Sequence, residues 1–187
     1  KRALPSGVQA VTVDRHDAAF AQAVAGAGGE WDLVVDCIGY TAADARQDIE
    51  VFRGRARNLV FISTDFVFDP ARRRFPQNDD NPHFLTDQSY GANKRRAELE
   101  FLNGDAGAMA WTILRPCHIY GPGSLLGCLP AHGRDPELIR RLRDGETLRL
   151  VGGGHFLQQP ILAADLAALI LSAADNPRAA RRIYPAA

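Results

Sequence analysis

Tyr90 and Lys94 stand four residues apart in the stretch YGANKRRAELEFLNG, whose spacing predicts a helix stopped by Gly104. At i and i+4 their side chains share one helix face. An ammonium held near a phenol favours the phenolate, so the pair is suited to proton transfer near neutral pH. Upstream, the stretch FISTDFVF breaks a hydrophobic run at Ser63, Thr64 and Asp65. Polar residues commonly punctuate a strand end, but a hydroxyl placed there could hydrogen-bond both a substrate oxygen and a phenol. Taken singly, neither signal is specific. Their order along the chain, with LRPCHIYGPG after them, is what gives them weight.

Several function classes are disfavoured by composition. The 187 residues are 46% apolar and 24% charged, as in an ordinary globular domain. Lys plus Arg equals Asp plus Glu at 22 each, so no overall field draws the chain to nucleic acid, and a nucleic-acid partner is not expected. Arg72, Arg73 and Arg74, with Arg53, Arg55 and Arg57, read as solvated surface, a phosphate or RNA contact being their other use. Cys37, Cys117 and Cys128 form no CxxC pair, which suits a reduced, cytoplasmic setting. The five histidines show no ligand spacing, so no metal is expected. No apolar run is long enough to span a membrane.

These residues need a scaffold that brings them together. VQAVTVD (Val8 to Asp14), DLVVDCIGY, NLVFIST and AWTILRP read as strands, the later ones apolar on both faces. Helical patterns lie between them: AAFAQAVAGAG, AADARQDIEVFRG and the Tyr90 segment. Alternation of this kind predicts an α/β fold, a doubly wound parallel sheet with right-handed crossovers. Ligands of such sheets bind beyond the carboxyl ends of the strands, so Asp14, Gly39, Thr64 and Pro116 should share one edge. Beyond Gly121 the pattern loosens. PELIRRLRDGE reads as a short amphipathic helix, LRLVGGG as a strand into a glycine turn, and ILAADLAALILSAAD as an apolar helix.

The ordered set STDFVF, YGANK and LRPCHIYGPG resembles the extended short-chain dehydrogenase/reductase superfamily, in its NAD-dependent epimerase/dehydratase group. That resemblance implies a Rossmann-like fold, an NAD or NADP cofactor, and a small-molecule substrate of the sugar-nucleotide or hydroxyl/ketone kind. It also allows a homodimer. It implies Thr64, Tyr90 and Lys94 as the catalytic set, with Lys94 also on the nicotinamide ribose. Asp14 corresponds to the acidic residue near the adenine, and Cys37, Ile38 and Gly39 to the backbone beside the cofactor ribose. Pro116, Cys117, His118 and Ile119 correspond to the segment beside the carboxamide. Asp65 and Phe66 fall on the substrate side, and QQPILAADLA, with Asp165, resembles the motif that returns the chain to the sheet. STDFVFD is similar to the pattern of dTDP-4-dehydrorhamnose reductases. Sugar-nucleotide 4,6-dehydratases carry Thr-Asp-Glu where this chain has Thr64, Asp65 and Phe66. VDRHD with DLVVDCIGY instead resembles relatives of chloroplast stem-loop RNA-binding proteins, which keeps a non-catalytic or RNA-binding homologue as the alternative.

The family's GxxGxxG loop is absent from the 187 residues, since Gly26, Gly28 and Gly29 follow a helix rather than open one. The reading is therefore a domain that lacks its first strand and glycine loop at the N-terminus and binds cofactor weakly by itself. Residues 1–122 are expected to form the cofactor-binding domain, 123–160 part of a small substrate-binding subdomain, and 161–187 a helix and segment returning to the sheet.

Overall fold

A computed structural model of the protein describes residues 4–125, 135–155, 157 and 159–187. Cys128, His132 and part of the expected substrate-binding subdomain lie outside the described residues. Four strands, β1 (Trp31–Asp36), β2 (Ala56–Ile62), β3 (Ala110–Pro116) and β6 (Arg182–Ala186), form one parallel sheet in the order β1-β2-β3-β6. Helices α2 (Ala42–Phe52) and α3 (Tyr90–Asn103) connect the first three. The register pairs Asp36 with Phe61, Ile62 with Leu114 and Pro116 with Ala186, which levels the carboxyl ends along one edge.

Alternation within β2 explains why its sequence is apolar throughout. Leu59 and Phe61 face α2 and α3, in a core with Ala45, Ile49, Phe52, Ala97, Phe101 and Trp111. Val60 and Ile62 point the other way and meet Leu166 of α5 (Ala163–Ala174), together with Leu114 and Ile161. With period-two side chains and helices on both faces, neither row can be polar. A smaller parallel pair joins β4 (Ile119–Tyr120) to β5 (Ile161–Leu162). The remaining helices are α1 (Phe20–Ala27) and α4 (Leu138–Arg143), the latter where the amphipathic pattern was expected. No described helix is long and apolar enough to cross a membrane.

Two predicted strands are not strands. Val8 to Asp14 has strand-like residues but pairs with nothing among the described residues, and Val8 and Val11 are exposed. A strand needs a neighbour to take its backbone N–H and C=O groups, and composition alone does not supply one. Leu148 to Gly154 also fails to form one. Gly152, Gly153 and Gly154 have φ of 59°, 65° and 84°, and this left-handed run winds the chain into a tight turn.

Caps start the two helices beside the candidate site. Thr41 and Asp44 form a reciprocal capping box on α2. Ser89 caps α3, its hydroxyl accepting from the Ala92 amide. The start of α3 lies so close to the turn after β2 that a Cβ on Gly91 would fall 1.9 Å from the Phe66 carbonyl oxygen. Gly91→Ala is therefore expected to destabilise by about 1–3 kcal/mol, read from urea denaturation. A midpoint equal to the parent's would mean that the turn yields freely.

Candidate active site

Thr64, Tyr90 and Lys94 come together at the carboxyl edge of the sheet, around a cavity of about 290 Å³. Tyr40, Cys37, Asp65, Phe66 and the run Pro116 to Ile119 also line it. They arrive from several elements. Thr64 follows β2 and opens a 3-10 turn (Asp65–Val67), its hydroxyl oxygen accepting from the Phe66 amide at 3.2 Å. Tyr90 and Lys94 come from the first turns of α3, and the Pro116 segment from the end of β3. Thr64 is thus brought by the fold to a Tyr90–Lys94 pair that one helix already holds together.

Lys94 is 2% exposed, an extreme burial for a lysine. Its Nζ donates to the carbonyls of Gly39 at 2.6 Å and Ile62 at 2.5 Å and sits 4.2 Å from the centre of the Phe61 ring. Burial pulls its pKa down to about 8, opposed by the charges of Asp36, Glu98 and Asp44. Tyr90 is half-exposed, and its pKa is raised. Burial is the main cause, the Thr64 hydroxyl hydrogen bond opposes it, and Tyr40 and Asp65 add to it.

This corrects the expectation of an acidified phenol. Lys94 shares a helix face with Tyr90, but two main-chain carbonyls hold its ammonium, so partial burial dominates at the phenol. At neutral pH Tyr90 therefore holds its proton.

Asp65 and Phe66 line both this cavity and an adjoining one of about 510 Å³, with Cys117 and His118 shared between them. The larger cavity also meets Arg73, Phe75, Gln77 and Gln159. Arg73 pairs with Asp65 at 3.2 Å, yet burial still raises the Asp65 pKa. Phe66 packs edge-on against the His118 ring. Ile119 enters the small β4–β5 sheet and is half-exposed.

After β1 the chain turns tightly through Cys37, Ile38 and Gly39. Asp36 Oδ1 accepts from the amides of both Ile38 and Gly39 at 2.8 Å. Cys37 and Ile38 are exposed, while a Cβ on Gly39 would fall 2.1 Å from Asp36 Oδ2. Asp14 is exposed and lies outside the cavity lining, its carboxylate accepting from the His16 amide. Its neighbour Arg15 reaches the same sheet edge, donating to Asp36 Oδ2 at 3.0 Å.

That contact belongs to a buried cluster the sequence reading missed. Arg15 is surrounded by Asp36, Asp44 and Asp48, three carboxyls around one guanidinium. Asp48 Oδ1 accepts from Arg15, whereas no donor among the described residues reaches its buried Oδ2. Burial and the adjacent Asp36 carboxylate push the Asp48 pKa up to about 9, while that of Asp36 is lowered. A proton on Asp48, shared toward Asp36, accounts for both. The available signal was Asp44 and Asp48 at i and i+4, one face of α2 turned toward a strand-end aspartate.

Because Asp48 binds its proton more tightly folded than unfolded, its contribution to stability is complete below pH 3.8. That contribution is lost as pH rises toward about 9. Asp48→Asn mimics the protonated acid and should flatten this decline, seen as urea midpoints compared between about pH 5 and pH 9. A decline as steep in the variant as in the parent would place the titration elsewhere.

The comparisons with known proteins bear on the fold and the family. An epimerase of Methanothermobacter thermautotrophicus is similar in fold, with a TM-score of 0.72 and 14% identity over 98% of this chain and 59% of that one. Pal of Bacillus thuringiensis gives a TM-score of 0.65 and 21% identity, over 89% of this chain and 57% of that one. A UDP-N-acetylglucosamine 4-epimerase of Methanobrevibacter ruminantium, solved with UDP-N-acetylmuramic acid, gives 0.60 and 18%, over 78% and 46%. The chain thus spans less than two thirds of the length of each. No curated protein matches it in sequence. At these identities the likeness shows the fold, a Rossmann-type α/β sheet. The sequence itself matches the NAD dependent epimerase/dehydratase family over residues 15–187, and the chain belongs to that family.

Proposed function

We propose that this chain forms the catalytic edge of an NAD(P)-dependent enzyme acting on a hydroxyl or ketone carbon of a sugar-nucleotide-like substrate. The observation that carries this reading is the meeting of Thr64, Tyr90 and Lys94 on one cavity at the carboxyl ends of the strands. Among the roles assigned here, Lys94 and the Cys37–Gly39 backbone hold the cofactor ribose, and Pro116, Cys117, His118 and Ile119 flank its carboxamide. Asp14 serves the adenine end.

The residues present fit such a group. Two of the three Lys94 N–H bonds go to carbonyls, which leaves one for a ribose hydroxyl. When bound, the nicotinamide supplies a hydride acceptor or donor. Tyr90, protonated at neutral pH, gives its proton to a substrate oxygen and takes it back in the reverse direction. Thr64 hydrogen-bonds that oxygen and the phenol together. Asp65 and Phe66 orient the substrate at the mouth of the larger cavity, whose aromatic and polar walls suit a nucleotide sugar.

The test uses the whole protein with NADH or NADPH, followed by fluorescence, and nucleotide sugars followed by chromatography. Cofactor binding together with conversion of a nucleotide sugar is expected. Neither cofactor binding nor turnover of any nucleotide sugar would overturn the reading and favour the alternative, a non-catalytic or RNA-binding homologue.

A further inference from the structure

The proposed catalytic set does not use the buried Asp36, although it stands between that set and the Arg15 cluster. Its side chain is 5% exposed. One oxygen, Oδ1, accepts both amides of the turn that follows β1, those of Ile38 and Gly39. The turn's last carbonyl, that of Gly39, is one of the two acceptors that seat the Lys94 ammonium. The other oxygen, Oδ2, is anchored by Arg15, which is held in turn by Asp48 and by the Asp44 carbonyl. Gly39 has no room for a side chain because Asp36 and the Phe61 ring fill that space. Strand end, turn and lysine are therefore one rigid unit.

We propose that Asp36 is a positioning residue for Lys94, its carboxylate folding the Cys37–Gly39 turn around the ammonium and supplying the nearby negative charge that keeps it protonated. This rests on the proposed role of Lys94 at the cofactor.

The electrostatic setting agrees with that assignment. Lys94 is faced by Asp36 and Cys37 from the end of β1, by Asp44 from α2 and by Glu98 from its own helix. The rings of Tyr40 and Phe61 cover it. Asp36 is the largest of the charges that oppose its deprotonation. Glu98 is neutralised by Arg115 and Arg95, and Asp44 is spread over the capping box and Arg15. The Asp36 charge is also shared with Arg15, and Asp44 helps to orient the Gly39 carbonyl by accepting the Tyr40 amide of the same peptide, but Asp36 holds the two preceding amides of the turn.

Two variants separate the roles. Asp36→Asn keeps an oxygen for the Ile38 and Gly39 amides, so the turn survives, while the charge beside Lys94 and the acceptor for Arg15 are lost. Asp36→Ala loses the turn acceptor as well. The readout is competitive acetylation of Lys94 with acetic anhydride across a pH series on the folded whole protein, quantified by mass spectrometry of the Lys94 peptide. It needs no cofactor.

In Asp36→Asn the Lys94 titration midpoint is expected to move acidward by about one pH unit or more. Its NADH affinity, measured by fluorescence over the same series, should lose its alkaline limb correspondingly earlier. In Asp36→Ala the rate of acetylation should also rise, by about tenfold or more, as the ammonium leaves its seat. A Lys94 midpoint equal to the parent's in Asp36→Asn would overturn the proposal, even if both variants lost stability to urea, since a merely structural role predicts that pattern. If the midpoint moves but the parent binds neither NADH nor NADPH, the hold of Asp36 on Lys94 stands and the proposed function falls.

Discussion

Tyr90→Phe is expected to lower turnover by about 10²–10⁴-fold in the whole protein while cofactor affinity stays near the parent's. The substitution deletes one hydroxyl from a half-exposed side chain at the start of α3, and no hydrogen bond that starts the helix depends on it. What it removes is the proton that the phenol holds at neutral pH. Lys94→Met should behave differently. It removes a buried ammonium together with its bonds to Gly39 and Ile62, so cofactor binding and stability should fall along with rate. Thr64→Val should lower turnover with little change in cofactor affinity, because in the proposed mechanism its hydroxyl serves the phenol and substrate oxygens. Steady-state kinetics on a nucleotide sugar that the parent converts, with fluorescence titration of NADH or NADPH, distinguishes the three. Near-parental turnover in Tyr90→Phe would remove the phenol from the mechanism.

The largest expected effect on stability lies one layer behind the site. Glu98 is fully buried, and each of its oxygens accepts twice. Ser63 Oγ and Arg115 Nε donate to Oε1 at 2.7 and 2.8 Å, and Arg115 and Arg95 donate to Oε2 at 2.7 and 2.8 Å. Ser63 precedes Thr64 at the end of β2, and Arg115 precedes Pro116 at the end of β3. This carboxylate therefore ties α3 to the two strand ends that carry the site. Glu98→Ala strands the guanidinium of Arg115, itself 2% exposed, beside that of Arg95. Breaking a buried pair in this way typically costs about 3–5 kcal/mol. Replacing both partners, as in Glu98→Leu with Arg115→Leu, should cost clearly less than the two single changes added together, because the fully buried Arg115 charge leaves with its partner. Urea denaturation of the two singles and the double measures the coupling. Strict additivity would mean that the pair does not act as a unit.

Both predictions draw on residues that differ in how plainly the sequence marked them. Thr64, Tyr90 and Lys94 were legible because their elements are local. A β-branched run ending in polar residues makes a strand end, and a tyrosine and lysine at i and i+4 share a helix face whatever surrounds them. A family resemblance then gave the set its order. Glu98 was hidden inside the same helical stretch, where RRAELE reads as solvated charge. Only the packing of α3 over β2 and β3 turns that glutamate inward to Ser63 and Arg115.

The sequence by itself determined the α/β alternation, the doubly apolar strands and the edge on which the polar strand ends must gather. Those features follow from side-chain periodicity and right-handed crossovers, which act over tens of residues at most. Tertiary structure decided the rest. Val8 to Asp14 has a strand's residues but no partner among the described residues, and pairing is a property of two segments. The direction in which Lys94 points was set by carbonyls 55 and 32 residues away in sequence, those of Gly39 and Ile62. With the ammonium drawn to them, burial governs the proton on Tyr90, and spacing on a helix carries no information about burial.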